Sequence, residues 1–210
     1  MQHQGYVQYG CGLSAPESWT NFDASPTLRL QRIPIAGSLL TRRGPKFPKN
    51  VRYGDIVRGL PIEPGSCNAI YCSHVLEHLS LEDLRIALRH TYRYLKPGGV
   101  FRFVLPDLEH LARQYLASTA AQPAIQFMED AHLGCQHRAR GLGGMAREWL
   151  GNSRHLWMWD YRSLVPELER AGFQAIHRAA FGDSSDPHFR DIEDEGRWTG
   201  CLGVECRRPA

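Results

Sequence analysis

Two short runs that end in a glycine turn and in a carboxylate constrain this chain most. Gly5-Tyr6-Val7-Gln8-Tyr9 leads into Gly10-Cys11-Gly12, and Trp19-Thr20-Asn21-Phe22 leads into Asp23. In an α/β nucleotide-binding domain this pattern is a strand, a tight turn beside the ligand, a second strand, and an acid that binds ribose hydroxyls. Glycine suits the turn because a side chain there would block close approach of the backbone. The dinucleotide fingerprint G-x-G-x-x-G is not met, because Ala15 stands where its third glycine belongs. Asp23 also follows too closely, since that fingerprint places its acid roughly 20 residues on, beyond a full helix. The pattern points to an adenosine-type ligand with no pyrophosphate to cradle.

The 210 residues fit one domain, and at this length about 70% of the unfolded surface can be buried. A formal net charge of +3 with only paired arginines, Arg42-Arg43 and Arg207-Arg208, predicts no nucleic-acid partner. Cysteines stand at 11, 67, 72, 135, 201 and 206 with no C-x-x-C spacing, which excludes zinc-ribbon and thioredoxin patterns. Several fall inside strand-like runs as small apolar residues, which suits a reducing compartment. No apolar run nears the ~20 residues of a membrane span. No charged segment followed by an apolar core marks a signal peptide. The expectation is a cytoplasmic protein without a membrane span.

Strand and helix signals alternate along the chain. Residues 6–9, 19–22, 51–53, 68–72, 100–105, 173–179 and 201–206 read as strands. A helix starts after Ser80, where Glu82 and Asp83 suit its positive end, and stops at Lys96-Pro97-Gly98-Gly99. Residues 108–118 and 163–171 read as further helices, the second with Ser163 as its cap and Gly172 as its stop. The proline-rich stretch 24–50 reads as an irregular loop with one helical turn near Leu39. The Gly-, Arg- and His-rich stretch 132–153 reads as a mobile loop or lid, and 182–200 as a polar, acidic connection. Such alternation predicts an α/β sheet with helices on both faces. Cys11, Asp23, Asp55 and Ser73 then converge just past the carboxyl ends of strands, where such sheets bind ligands.

The chain resembles the class I S-adenosylmethionine-dependent methyltransferases of the small type-11-like kind. The residues carrying this are Tyr9-Gly10-Cys11-Gly12, Trp19–Ala24, Gly54-Asp55-Ile56, Leu60-Pro61-Ile62, Ala69–Leu79, Leu95–Gly99, Pro106-Asp107, and His155–Asp160 ahead of Ala171-Gly172-Phe173. The resemblance implies a Rossmann-like seven-stranded sheet with the last strand antiparallel, in a single domain over 1–210. An acceptor-side lid or insertion would span 108–159. It also implies S-adenosyl-L-methionine as cofactor and a small-molecule or sugar-containing acceptor. Two departures stand out. The segment between Gly12 and Asp23 is too short for the usual first helix, and the third glycine of the first motif is absent.

The cofactor site is expected to use Tyr9, Gly10, Cys11, Gly12, Asp23, Asp55, Ile56, Ser73 and His74. Asp23, an acceptor-only group, matches two ribose hydroxyls. Asp55 and the Ile56 backbone would read the adenine, although an aspartate there equally suits a turn. Methyl transfer asks mainly for alignment. A hydroxyl acceptor also asks for a base, and His74 and His155 are the candidates, with oxygen preferred over nitrogen as acceptor atom. Trp157 and Trp159 suit either an acceptor pocket or the core. The motif His74-x-x-Glu77-His78 also matches a zinc-hydrolase pattern, which makes a metallohydrolase the alternative. A non-catalytic cofactor-binding module is the third reading. No zinc is expected, because no third ligand is apparent beside the two histidines and the cofactor reading already accounts for the segment; the resemblance to quinone-pathway methyltransferases, which bind a divalent metal in this region, leaves a non-zinc metal as a lesser reading.

Overall fold

The computed structural model describes residues 5–33, 46–134 and 154–210. Seven strands make one sheet: β1 (Tyr6–Tyr9), β2 (Thr20–Asp23), β3 (Val51–Tyr53), β4 (Cys67–Ser73), β5 (Leu95–Pro106), β6 (Gln174–Ala179) and β7 (Cys201–Arg207). Their spatial order is β3-β2-β1-β4-β5-β7-β6. Strands β1 to β5 pair in parallel, whereas β7 runs antiparallel to both β5 and β6. The chain order reverses between β1 and β4, so a crevice opens there at the carboxyl edge.

Helices flank the sheet. The first, α1 (Pro26–Gln31), starts on a Ser25 cap with proline in its first turn. Its proline-rich surroundings hid it from the sequence reading. Helix α2 (Leu81–Tyr94) starts as expected, with the Ser80 hydroxyl accepting from the Asp83 N–H. Helices α3 (Leu108–Ala117) and α4 (Pro123–Asp130) follow β5. Helix α5 (Tyr161–Ala171) is capped by Asp160 rather than Ser163 and starts two residues earlier than expected. Pro166 therefore lies inside it, where it withholds one backbone donor. A final short helix, α6 (Glu195–Trp198), precedes β7. The expected helical turn near Leu39 lies outside the described residues, as does 135–153 of the expected lid.

One sheet face is covered by α2 and α5. Leu84, Leu88, Leu164 and Leu168 pack there on Phe101, Phe103 and Phe173. The other face has no helix between β1 and β2, since residues 10–19 form only turns. Parallel strands are usually joined through a helix, and the place such a helix would fill is taken from the far end of the chain. A 3-10 turn at Pro187–Asp191 and helix α6 lay Phe189, Ile192 and Trp198 against Trp19, Tyr71 and Val104. Tyr6 stacks on His188 at 4.0 Å and donates to Asp186. The Trp19 indole donates to the His188 carbonyl. Trp198 sits so close over β7 that a side-chain carbon on Gly203 would lie 2.1 Å from its ring.

Arg102 of β5 anchors this covering segment. Its side chain is fully buried, pairs with Glu205 directly across on β7, and also reaches Glu193 and Asp183. It donates to the Ala180 carbonyl as well and lies over the Trp198 ring. The stretch expected to be a polar connection is thus a second core with an ionic centre.

Candidate active site

The glycine turn has the backbone the sequence implies. Gly10 and Gly12 have φ of +66° and +54°. A side-chain carbon on Gly10 would lie 2.2 Å from Val75 Cγ2, so the turn and the end of β4 touch. Asp23 closes the turn: its Oδ2 accepts from the Gly12 N–H at 2.8 Å and its Oδ1 from the Ser25 N–H at 2.7 Å. Each oxygen retains a lone pair for an outside donor. Tyr9 and Cys11 offer backbone only. The Tyr9 ring is buried and its hydroxyl meets Thr91. Cys11 packs on Leu28 and Val51. Burial, aided by Asp23, pushes the Cys11 thiol up to about 12, so it is not a nucleophile.

Asp55 is engaged in its own turn, accepting from the Val57 N–H and lying 3.5 Å from Arg58. Ile56 is buried, and its carbonyl accepts from His90. Ser73 ends β4, and Arg197 from α6 clasps it by donating to its hydroxyl at 2.8 Å and its carbonyl at 2.9 Å. Nothing in the sequence flags Arg197 for this place.

Beyond Ser73 a cavity of about 400 Å3 opens at the ends of β4 and β5. His74, Glu77, His78, Asp107, His132 and His155 are among its lining residues. His74 and His132 hold left-handed backbone, with φ of 54° and 51°. Such strain in non-glycine residues concentrates at functional sites. A 3-10 turn at Leu76–His78 then aims Glu77 inward.

Glu77 is fully buried, and neither carboxyl oxygen has a hydrogen-bond partner. His74 Nδ1 lies 3.3 Å from its Oε1, close enough for charge pairing but not in hydrogen-bonding geometry. The same glutamate's backbone carbonyl accepts from the N–H groups of Leu156 and Trp157, which draws residues 155–157 onto the 3-10 turn. His155 Nε2 thereby comes within 3.9 Å of Glu77 Oε1.

The histidines differ in state. Burial works against charge on His74. Its contacts with Cys201, Glu77 and the Arg197 carbonyl outweigh burial and raise its pKa to about 10. That direction favours the charged imidazolium and argues against His74 as the base. His155 goes the other way, lowered chiefly by burial against the opposing pull of Glu77. Its Nδ1 lies 2.7 Å from the Ala131 carbonyl, and His78 Nδ1 lies 2.9 Å from the Arg154 carbonyl. A carbonyl only accepts, so both Nδ1 atoms carry hydrogen, and Nε2 is the atom that holds the lone pair of the neutral ring. Glu77, His78 and His155 place their ligand atoms within 4.8 Å of one another. His74, paired with His78 in the sequence motif, is not part of that group. Trp157 is half-exposed and Trp159 is core, and neither lines the cavity.

A seven-stranded sheet in this order, with a glycine turn and acid at its switch point and a cavity beyond β4, defines a class I S-adenosylmethionine-dependent methyltransferase. A family described as "Methyltransferase domain" matches residues 12–178, and the chain belongs to it. Its cofactor is S-adenosylmethionine. No curated protein matches the sequence. Among solved structures, a Thermotoga maritima methyltransferase, titled a possible histamine N-methyltransferase, is 16% identical with a TM-score of 0.52. The match covers 97% of this chain and 82% of that one. A Mesorhizobium loti methyltransferase is 18% identical with a TM-score of 0.50, covering 97% and 90%. A Haloferax volcanii methyltransferase, solved in complex with the Trm112 activator, is 16% identical with a TM-score of 0.50, covering 98% and 83%. These similarities concern the fold. Among the described residues, no helix is long and apolar enough to cross a membrane.

Proposed function

We propose that this methyltransferase moves the methyl group of S-adenosylmethionine to a hydroxyl of a small molecule or a sugar-containing acceptor. The observation that carries this reading is the cavity beyond Ser73, with a buried carboxyl group and two imidazole Nε2 lone pairs on its wall. Its volume of about 400 Å3 suits one ring or one sugar unit rather than a macromolecule. A hydroxyl must lose its proton as it is methylated, and these lone pairs favour that loss. Tyr9, Gly10, Cys11 and Gly12 would serve the cofactor through their backbone, and Asp23 would take the ribose hydroxyls. Asp55 and Ile56 would flank the adenine, Ile56 through its backbone. Ser73 and His74 would stand near the methionine end of the cofactor. Residues 108–134 and 154–159, the described parts of the expected insertion, would form the acceptor-side wall.

The test is calorimetry with S-adenosylhomocysteine, followed by turnover on a panel of hydroxyl and amine acceptors. Asp23→Ala should weaken S-adenosylhomocysteine by about 2 kcal/mol, the scale of lost charge-assisted hydrogen bonds. Unchanged affinity in a folded Asp23→Ala variant would remove the ribose assignment. Methylation confined to amines would remove the hydroxyl acceptor. Protection of residues 123–134 from hydrogen exchange when acceptor and S-adenosylhomocysteine bind together would support the wall, and unchanged exchange would refute it.

A further inference from the structure

We propose that Glu77, His78 and His155 bind a divalent first-row transition-metal ion, with an open coordination position facing the acceptor cavity. Four observations converge. The three ligand atoms lie within 4.8 Å of one another. Glu77 is fully buried and neither oxygen has a hydrogen-bond partner, a costly arrangement that a bound cation would relieve. The two imidazoles are fixed by separate backbone carbonyls in the one tautomer that leaves Nε2 free. A carbonyl on the far nitrogen is the support that metal-binding histidines carry. The Glu77 carbonyl also seats the segment bearing His155, so the first ligand positions the third.

The donor set selects the ion. Magnesium and calcium prefer oxygen ligands, whereas two imidazoles and one carboxylate suit zinc, iron(II) or cobalt(II). Three protein ligands with a vacant fourth position is the composition of a reactive rather than a structural site. A tetrahedral ion with bonds of roughly 2.0–2.1 Å sets its donors about 3.3 Å apart. His155 Nε2 stands 3.9 Å from Glu77 Oε1, and the whole group lies within 4.8 Å, so closing on an ion takes shifts on the order of 1 Å. His74 Nδ1 lies 3.3 Å from the same oxygen without a hydrogen bond to it. The expectation of no zinc rested in part on a missing third ligand beside His74 and His78; the group found instead omits His74 and takes Glu77 and His155. The inference shares its side chains with the acceptor reading above: with the ion bound, the Nε2 lone pairs serve as its ligands, and the ion rather than the imidazoles would favour proton loss from a hydroxyl at the open position.

The experiment uses the purified full chain stripped with a chelator. Calorimetry with zinc chloride should show one ion per chain, and magnesium chloride should give no binding. Cobalt(II) should produce the visible bands of a four-coordinate ion. Glu77→Gln and His78→Ala should each weaken zinc at least about 100-fold, since loss of a supporting hydrogen bond alone costs roughly 10–100-fold. His177→Ala, at an exposed position on β6, should leave zinc binding unchanged. Circular dichroism checks folding, and the partly exposed His78 keeps the test valid if Glu77→Gln does not fold. Absence of zinc binding, or binding unaltered in the folded variants, would overturn the proposal. S-adenosylhomocysteine binding is measured on the same samples. Zinc binding without it would remove the cofactor reading and leave the metal site. The reverse result would remove the metal site alone.

Discussion

Replacing Arg102 with methionine tests whether the segment from Ala180 to Trp198 is held as a structural wall. Arg102 is fully buried and its guanidinium meets Glu193 at 2.5 Å, Asp183 at 2.9 Å and Glu205 at 3.1 Å. Methionine keeps much of the apolar stem and removes the charge. Asp183 is half-exposed and can turn to water. Glu193 and Glu205, whose side chains are 1% and 4% exposed, cannot. Two buried acids without their cation should cost about 3–5 kcal/mol, the range for breaking a buried pair. That is a large part of the roughly 5–15 kcal/mol that stabilises a typical domain. Urea unfolding followed by tryptophan fluorescence reads it directly, because Trp19 and Trp198 lie in the affected core. Adding Glu193→Gln and Glu205→Gln to Arg102→Met should recover at least ~1 kcal/mol, since the uncompensated charge goes with them. A loss below about 1 kcal/mol for Arg102→Met would mean that water already solvates the cluster, and the reasoning fails.

Two further outcomes follow from single contacts. Gly10→Ala combines a left-handed φ with a 2.2 Å approach to Val75 Cγ2, so it should lower stability by at least ~1 kcal/mol and weaken S-adenosylhomocysteine, both measurable by thermal shift with and without ligand. Glu167 is held down from 4.5 to about 2, first by Arg85 and also by Arg170. A depressed carboxyl pKa stabilises the fold above 4.5, and that stability fades as pH falls towards 2. Because both arginines are well exposed, the contribution is about 1 kcal/mol. Glu167→Gln should therefore lower the melting temperature at pH 7, with the gap narrowing below pH 4. An equal gap at both pH values would exclude the ion pair as its cause.

The sequence made the first half of the sheet legible because its signals are local. Gly10, Gly12 and Asp23 sit where the strand-turn pattern puts them, and Ser80 caps its helix as the capping pattern requires. What escaped is what depends on distant partners. Residues 182–200 read as polar because their apolar side chains are sparse, and only Phe189, Ile192 and Trp198 turn inward. Arg102 stands within the apolar run Val100–Leu105 and drew no reading from the sequence, because its carboxylates lie 81 to 103 residues further on. The meeting of Glu77 with His155 likewise has no spacing signature, since it is made by backbone hydrogen bonds across a long connection. Asp55 was ambiguous in the sequence, and its own turn occupies one oxygen and draws Arg58 to the other.

The borrowed covering of the β1–β2 face has a consequence for synthesis. Tyr6, Ser18 and Trp19 find their partners 180, 173 and 169 residues downstream. A ribosome releases the amino-terminal strands long before Asp186, His188 and Asp191 exist. Through that interval the nascent sheet presents Trp19, Ala69 and Tyr71 without their cover, a surface that invites association with other chains. Contacts of such separation also slow folding, because loop closure is paid before they form. Completion of the first two strands is therefore one of the last events in folding this sheet, although they precede its other strands in translation.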